Sequence, residues 1–159
     1  LGIGVIDLIV GPACESSAEL ARLAGSLADV ELHVAPPTLA PCFYSGDLVL
    51  TSGGNSLVEA LAVGRPCLVV ETAANQKRMV RSLREEGVVL ALGDHREVSP
   101  AAILRGLEDL ASVRLELAAR LSERPVFDTR GAGRIARAME TRSASRTPGS
   151  PAAGAAEIG

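Results

Sequence analysis

The sequence is short of aromatic residues. Two Phe, one Tyr and no Trp stand among 159 residues, so few rings are available to stack on bases. Basic charge is short as well: 16 Lys and Arg against 19 Asp and Glu leave a formal net charge of −3. A nucleic-acid interface wants a basic face, stacking rings, or both, and no nucleic-acid partner is expected. Long apolar runs are missing too. The longest candidates, residues 5–10 and 67–70, are strand-sized and fall well below the roughly 20 residues of a membrane span. Cysteine is sparse. Cys14, Cys42 and Cys67 are odd in number and form no CxxC, and His33 and His95 lie far in sequence from any cysteine pair. That spacing predicts neither a zinc site nor a disulfide framework, and reduced cysteines in a cytoplasmic protein are the simplest reading. No basic segment precedes the apolar start, so no signal peptide is read there. Leu1 in place of Met reads as a fragment, a processed chain or an unusual start.

What is present is enough apolar material for a core. Hydrophobic residues make up 47% and the mean hydropathy is +0.25, which excludes wholesale disorder. Short apolar runs alternate with amphipathic stretches. Val5-Ile-Asp-Leu-Ile-Val10 reads as a buried strand ended by Gly11-Pro12. Further strands are predicted over 30–35, 47–51, 67–70 and 88–92. Helices are predicted from Ser16 or Ser17 onward, and over about 57–63, 75–86, 99–110, 112–122 and 129–139, with one or two helical turns over 38–44. Ser99 before Pro100 marks a helix start, and Gly64 and Gly87 mark helix ends. Beyond Met139 the composition turns to Ser, Arg, Pro, Gly and Ala. The reading is one domain over 1–139 and a disordered tail over 140–159. The alternation predicts an α/β fold: a Rossmann-like parallel sheet with helices on both faces.

Ligands of open parallel sheets bind beyond the carboxyl ends of the strands. The sharpest segment there is Thr51-Ser-Gly-Gly-Asn-Ser-Leu-Val-Glu59. Gly53 and Gly54 permit close backbone approach, the following helix offers unpaired N–H groups, and Ser52, Asn55 and Ser56 add small polar side chains. By physics this is a phosphate cradle; it is equally an ordinary serine-capped turn. No GxGxxG or Walker pattern is present, which disfavours the dinucleotide-fold and P-loop readings. Glu59 is either a solvent-facing residue or an acceptor for ribose hydroxyls. Asn75 and Gln76 are either sugar-facing amides or helix caps. Gly11 sits at the same sheet edge in a turn. Asp94-His95 reads as a surface turn, His33 as a packed or edge residue, Cys42 and Cys67 as core, and Arg78, Arg81 and Arg84 as a solvated face.

The order of these segments carries a resemblance. Gly11-Pro12 after a strand, Asp47-Leu-Val-Leu-Thr-Ser-Gly-Gly-Asn-Ser56, Glu59-Ala-Leu-Ala-Val-Gly-Arg-Pro66, Asn75-Gln76, Glu86-Gly87 and Phe127-Asp-Thr-Arg-Gly-Ala-Gly-Arg-Ile135 together resemble the carboxy-terminal half of GT-B proteins. The match is nearest to the UDP-sugar hydrolases of pseudaminic acid biosynthesis and the spore-coat polysaccharide proteins. The lipid II N-acetylglucosaminyltransferases share the same half. The resemblance implies one half of a GT-B fold and a UDP-sugar as ligand. It implies that Ser52, Gly53, Gly54, Asn55 and Ser56 hold the diphosphate and Glu59 the ribose. Asn75 and Gln76 face the sugar and the reacting centre, with Asn75 the candidate catalytic residue, and Gly11 lines the cleft. The uracil is expected near residues 36–40. No cofactor and no metal are implied, and no carboxylate cluster near the phosphate turn would hold an ion.

The family's amino-terminal domain supplies the histidine that activates water, and neither His33 nor His95 occupies a matching position. This chain is therefore expected to lack hydrolysis on its own, and a partner chain carrying the amino-terminal half is the implied complement. The readings are the UDP-sugar-binding half of a UDP-2,4-diacetamido-2,4,6-trideoxy-altropyranose hydrolase, the donor half of a glycosyltransferase, and a non-catalytic nucleotide-sugar-binding remnant.

Overall fold

A computed structural model of the chain describes residues 4–127 and 130–144. The chain divides after Phe127. Up to that point the order is β1 (Ile6–Val10), α1 (Ser17–Ala24), β2 (Val30–Val34), α2 (Ala40–Ser45), β3 (Val49–Ser52), α3 (Asn55–Ala62), β4 (Cys67–Glu71), α4 (Lys77–Glu85), β5 (Leu90–Asp94) and α5 (Pro100–Glu123). A short 3₁₀ turn, Ala74–Gln76, leads into α4. Beyond Phe127, α6 runs from Gly131 to Ala144. The expected tail begins within this helix, at residue 140, and residues 145–159 lie outside the described residues.

The α/β expectation is met, with every strand pair parallel. The expected single sheet is instead drawn as two: β1 pairs with β2, and the order β3-β4-β5 forms the second, with no ladder between β1 and β3 among the described residues. β4 is the central strand of the second sheet, and Cys67, Leu68 and Val69 are fully buried. That is the near-continuous apolar run of a strand covered on both faces. Its side chains alternate. Cys67 and Val69 join Leu57, Ala60 and Leu61 of α3 and Val80 and Leu83 of α4 in one cluster. Leu68 points the other way, to Leu110 and Leu117 of α5. The period of two along β4 thus sorts the helices onto both faces.

Helix boundaries follow local chemistry. Ser99 caps α5, its Oγ accepting the Ala102 N–H at 3.2 Å, and Pro100 takes the first helical position. Residues 111–112 hold neither Gly nor Pro, and the two helices predicted over 99–122 are one helix of 24 residues. Gly64 and Gly87 adopt positive φ where α3 and α4 end. In β5 the register against β4 slips between Val69 and Val70, and Gly93 adopts φ +93 at that irregularity.

Candidate functional site

Because β3, β4 and β5 are parallel, Ser52, Glu71 and Asp94 end at one edge of the sheet. The loop from β3 to α3 lies there. Gly53 is buried, and its role is packing. A Cβ at Gly53 would come within 2.5 Å of Val80 Cγ2 and 3.0 Å of Gln76 Cβ. Only glycine lets the start of α4 approach the loop this closely. The consequence is that Gln76 sits against the loop, its Nε2 4.0 Å from the Cβ position of Gly54. Gln76 is held there by Thr72, whose backbone N–H donates to Gln76 Oε1 at 2.9 Å.

Gly54 differs. It is the N-cap of α3 with φ −104 and ψ −156, an extended conformation open to any residue. A Cβ there would meet nothing closer than Ser52 Oγ at 3.6 Å. The fold therefore does not require glycine at 54. Ser, Asp or Asn are the favoured N-caps, yet no side chain caps α3 and no acidic residue lies in its first turn. The Leu57 N–H turns back onto the Gly54 carbonyl at 3.2 Å, while the N–H groups of Asn55 and Ser56, ahead of the first intrahelical bond, lie at the sheet edge with the positive end of the dipole. An anion fits this position.

Glu59 lies one turn further, at i+4 from Asn55. Both are exposed, so they share the outer face of α3. Ser52 and Ser56 are half-buried beside the loop. Asn75 is exposed in the 3₁₀ turn and caps nothing. It lines a cavity of 420 Å³ along α4 with Arg78, Met79, Ser82 and Phe127. The two neighbouring amides thus diverge: Gln76 meets the glycine loop and Asn75 the cavity beside it. Gly11 lies in its own turn at the end of β1, its carbonyl accepting the Cys14 N–H at 3.2 Å. That places it on the other sheet.

The remaining polar groups are engaged elsewhere. Asp94 accepts from Lys77 at 3.3 Å and from the Arg96 N–H at 3.2 Å. The Arg96 amide first, then Lys77, holds its carboxyl below the usual carboxylate range. His95 packs against Asp94 and the Glu71 carbonyl. Burial pushes the Cys67 thiol up to about 12, so it stays protonated as core. His33 lies half-buried on β2, a strand of the two-stranded sheet, as a packed or edge residue would, and its Nε2 lies 2.7 Å from Asp7 Oδ1.

Two residues were not anticipated as site-building. Thr72 fixes Gln76, and Arg65 ties the domain together. Arg65 Nε donates to the Phe43 carbonyl at 2.6 Å and its Nη2 to the Tyr44 carbonyl at 2.7 Å. A cation on the last carbonyls of α2 complements that helix end. The Gly64-Arg65-Pro66 run carried the signal, but the partner of the arginine lies about twenty residues upstream.

No protein-family model matches the chain. It is 28% identical over 98 residues to the spore coat polysaccharide biosynthesis protein SpsG of Bacillus subtilis (strain 168). The match spans 61% of this chain but only 29% of that relative. Among solved structures, the glycosyltransferase SsfS6 of Streptomyces sp. SF2575, in complex with thymidine diphosphate, superposes with a TM-score of 0.45 at 18% identity. The superposition covers 85% of this chain and 41% of that one. Among the described residues no helix is long and apolar enough to cross a membrane.

Proposed function

We propose that the chain binds a UDP-sugar as the donor-binding half of a GT-B-type protein in surface-polysaccharide biosynthesis. The observation that carries this reading is Gly54. The fold does not need a glycine there, and a glycine leaves the N-terminus of α3 uncapped and open. The diphosphate sits on that N-terminus, with the Ser52 and Ser56 hydroxyls beside it. Glu59, exposed on the same helix, accepts the ribose hydroxyls. Gln76, held by Thr72, turns its amide toward the sugar side, and Asn75 extends the polar surface into the neighbouring cavity.

The similarity to SpsG supports the polysaccharide setting, and the segment Asp128-Thr-Arg-Gly-Ala-Gly-Arg134 favours hydrolysis of a UDP-2,4-diacetamido-2,4,6-trideoxyhexose. In that reaction water attacks the anomeric carbon, the bond to the diphosphate oxygen breaks, and UDP leaves. The helix N-terminus stabilises the charge that develops on the leaving diphosphate. Activation of the water falls to a complementary chain.

Calorimetric titration with UDP and with uridine tests the reading. UDP is expected to bind and uridine to bind far more weakly, since the diphosphate anchors the ligand. Glu59→Ala, which removes an exposed side chain without touching the core, is expected to weaken UDP binding about tenfold. Equal affinity for uridine and UDP, or no UDP binding at millimolar concentration, would contradict it.

A further inference from the structure

Three chemically unlike side chains converge at a point away from the glycine loop. Asp7 of β1 and His33 of β2 sit on one face of the parallel pair, because Asp7 is in register with Glu31 and Ile9 with His33. Cys42 of α2 lies over that face. One ligand atom from each, a carboxylate oxygen, an imidazole nitrogen and the thiol sulfur, lies within 4.8 Å of the other two. All three residues are half-buried.

We propose that Asp7, His33 and Cys42 form a Zn²⁺ site. Oxygen, nitrogen and sulfur donors in one cluster suit this borderline ion. Around a tetrahedral Zn²⁺, ligand atoms stand roughly 3.3–3.6 Å apart, given metal–ligand bonds of about 2.0–2.3 Å. The Asp7–His33 contact of 2.7 Å opens by about 0.6 Å to admit the ion, and Cys42 closes from the third side. Zn²⁺ displaces the Cys42 proton. It also replaces the Asp7–His33 hydrogen bond with two bonds to the metal: Nε2, which donates to the carboxylate without metal, gives up its proton, and the neutral imidazole carries its proton on Nδ1 instead. Water fills the fourth position.

The surroundings give such an ion a structural task, because the region lacks core. Val10, Ala24 and Phe43 are the only buried hydrophobic residues contributed by β1, β2, α1 and α2. A metal joining β1, β2 and α2 would staple a thinly packed unit, as structural zinc does in small domains.

The full chain, freed of metal by a chelator, would be titrated with Zn²⁺ in competition with a chromophoric chelator. One equivalent is expected to bind, and hydrogen exchange in β1 and β2 is expected to slow when it does. Co²⁺ in place of Zn²⁺ is expected to give a thiolate charge-transfer band. That band is lost in Cys42→Ser and retained in Cys14→Ser. Asp7→Asn and His33→Gln are expected to weaken binding at least about tenfold, the lower range seen even for second-sphere partners. No stoichiometric binding, no thiolate band in the unsubstituted chain, or affinity indifferent to Cys42→Ser and His33→Gln would overturn the proposal. The cobalt spectrum of the unsubstituted chain decides even where a variant fails to fold.

Discussion

The two sheets of the domain are built to different standards. β4 is buried from Cys67 to Val69 and is covered by α3, α4 and Leu121 at the end of α5 on one side and by Leu110 and Leu117 of α5 on the other. β1 buries only Val10, β2 buries nothing fully, and Val5, Ile6, Leu23, Leu27 and Val34 are all exposed. A pair of strands with so little cover is marginal by itself. Arg65 ties α2 back to the turn before β4. The difference separates two roles. The candidate anion site rests on the well-packed half, where Gly53, Gln76 and Val80 hold the loop in place. The mixed Asp7–His33–Cys42 cluster rests on the half that packing alone leaves weak.

Several substitutions would sharpen that contrast. Leu68→Ala, at the centre of β4, is expected to lower stability by about 2–5 kcal/mol in denaturant unfolding. Leu23→Ala, on exposed α1, should change it by less than about 0.5 kcal/mol. Equal losses would mean that the two halves are covered alike. Next in size is Gly53→Ala, whose Cβ is driven into Val80. It is expected to cost about 1–3 kcal/mol and to disturb Gln76. Arg65→Ala is expected to cost about 1–3 kcal/mol by orphaning the Phe43 and Tyr44 carbonyls. Its sharper readout is hydrogen exchange, which should accelerate in α2 and leave β4 unchanged. Smallest is a pH effect at Asp94. Its folded carboxyl titrates below the ordinary value, so its stabilisation is present above the unfolded pKa and is lost as pH falls through the folded one. Asp94→Asn should flatten the acid limb of the stability profile slightly, and an unchanged limb would show that Lys77 and the Arg96 amide contribute nothing there.

Local patterns were readable in the sequence, and tertiary convergence was not. Ser99-Pro100, Gly64 and Gly87 marked helix ends because capping and positive φ are properties of a few adjacent residues. The glycine loop was legible for the same reason, but the division of labour inside it was not. That Gly53 answers to Val80 and Gly54 answers to no side chain depends on a helix more than twenty residues away. The two helices expected over 99–122 are one, α5, because neither Gly nor Pro interrupts residues 111–112. In the sequence His33 is simply a packed or edge residue of a strand. Its partner Asp7 is brought beside it only by the β1–β2 register, and Cys42 only by the placement of α2. No spacing rule along the chain links positions 7, 33 and 42.

The central claim is that the α3 N-terminus is kept uncapped for a ligand's diphosphate. Gly54→Asp tests it most directly, because it places a carboxylate where the phosphate is proposed to sit. The aspartate satisfies the helix by itself, so thermal stability should hold or rise, by about 0.3–1 kcal/mol. UDP affinity, measured by titration on the same sample, should fall at least tenfold. A variant that is stabilised and still binds UDP as tightly as the parent would contradict the claim.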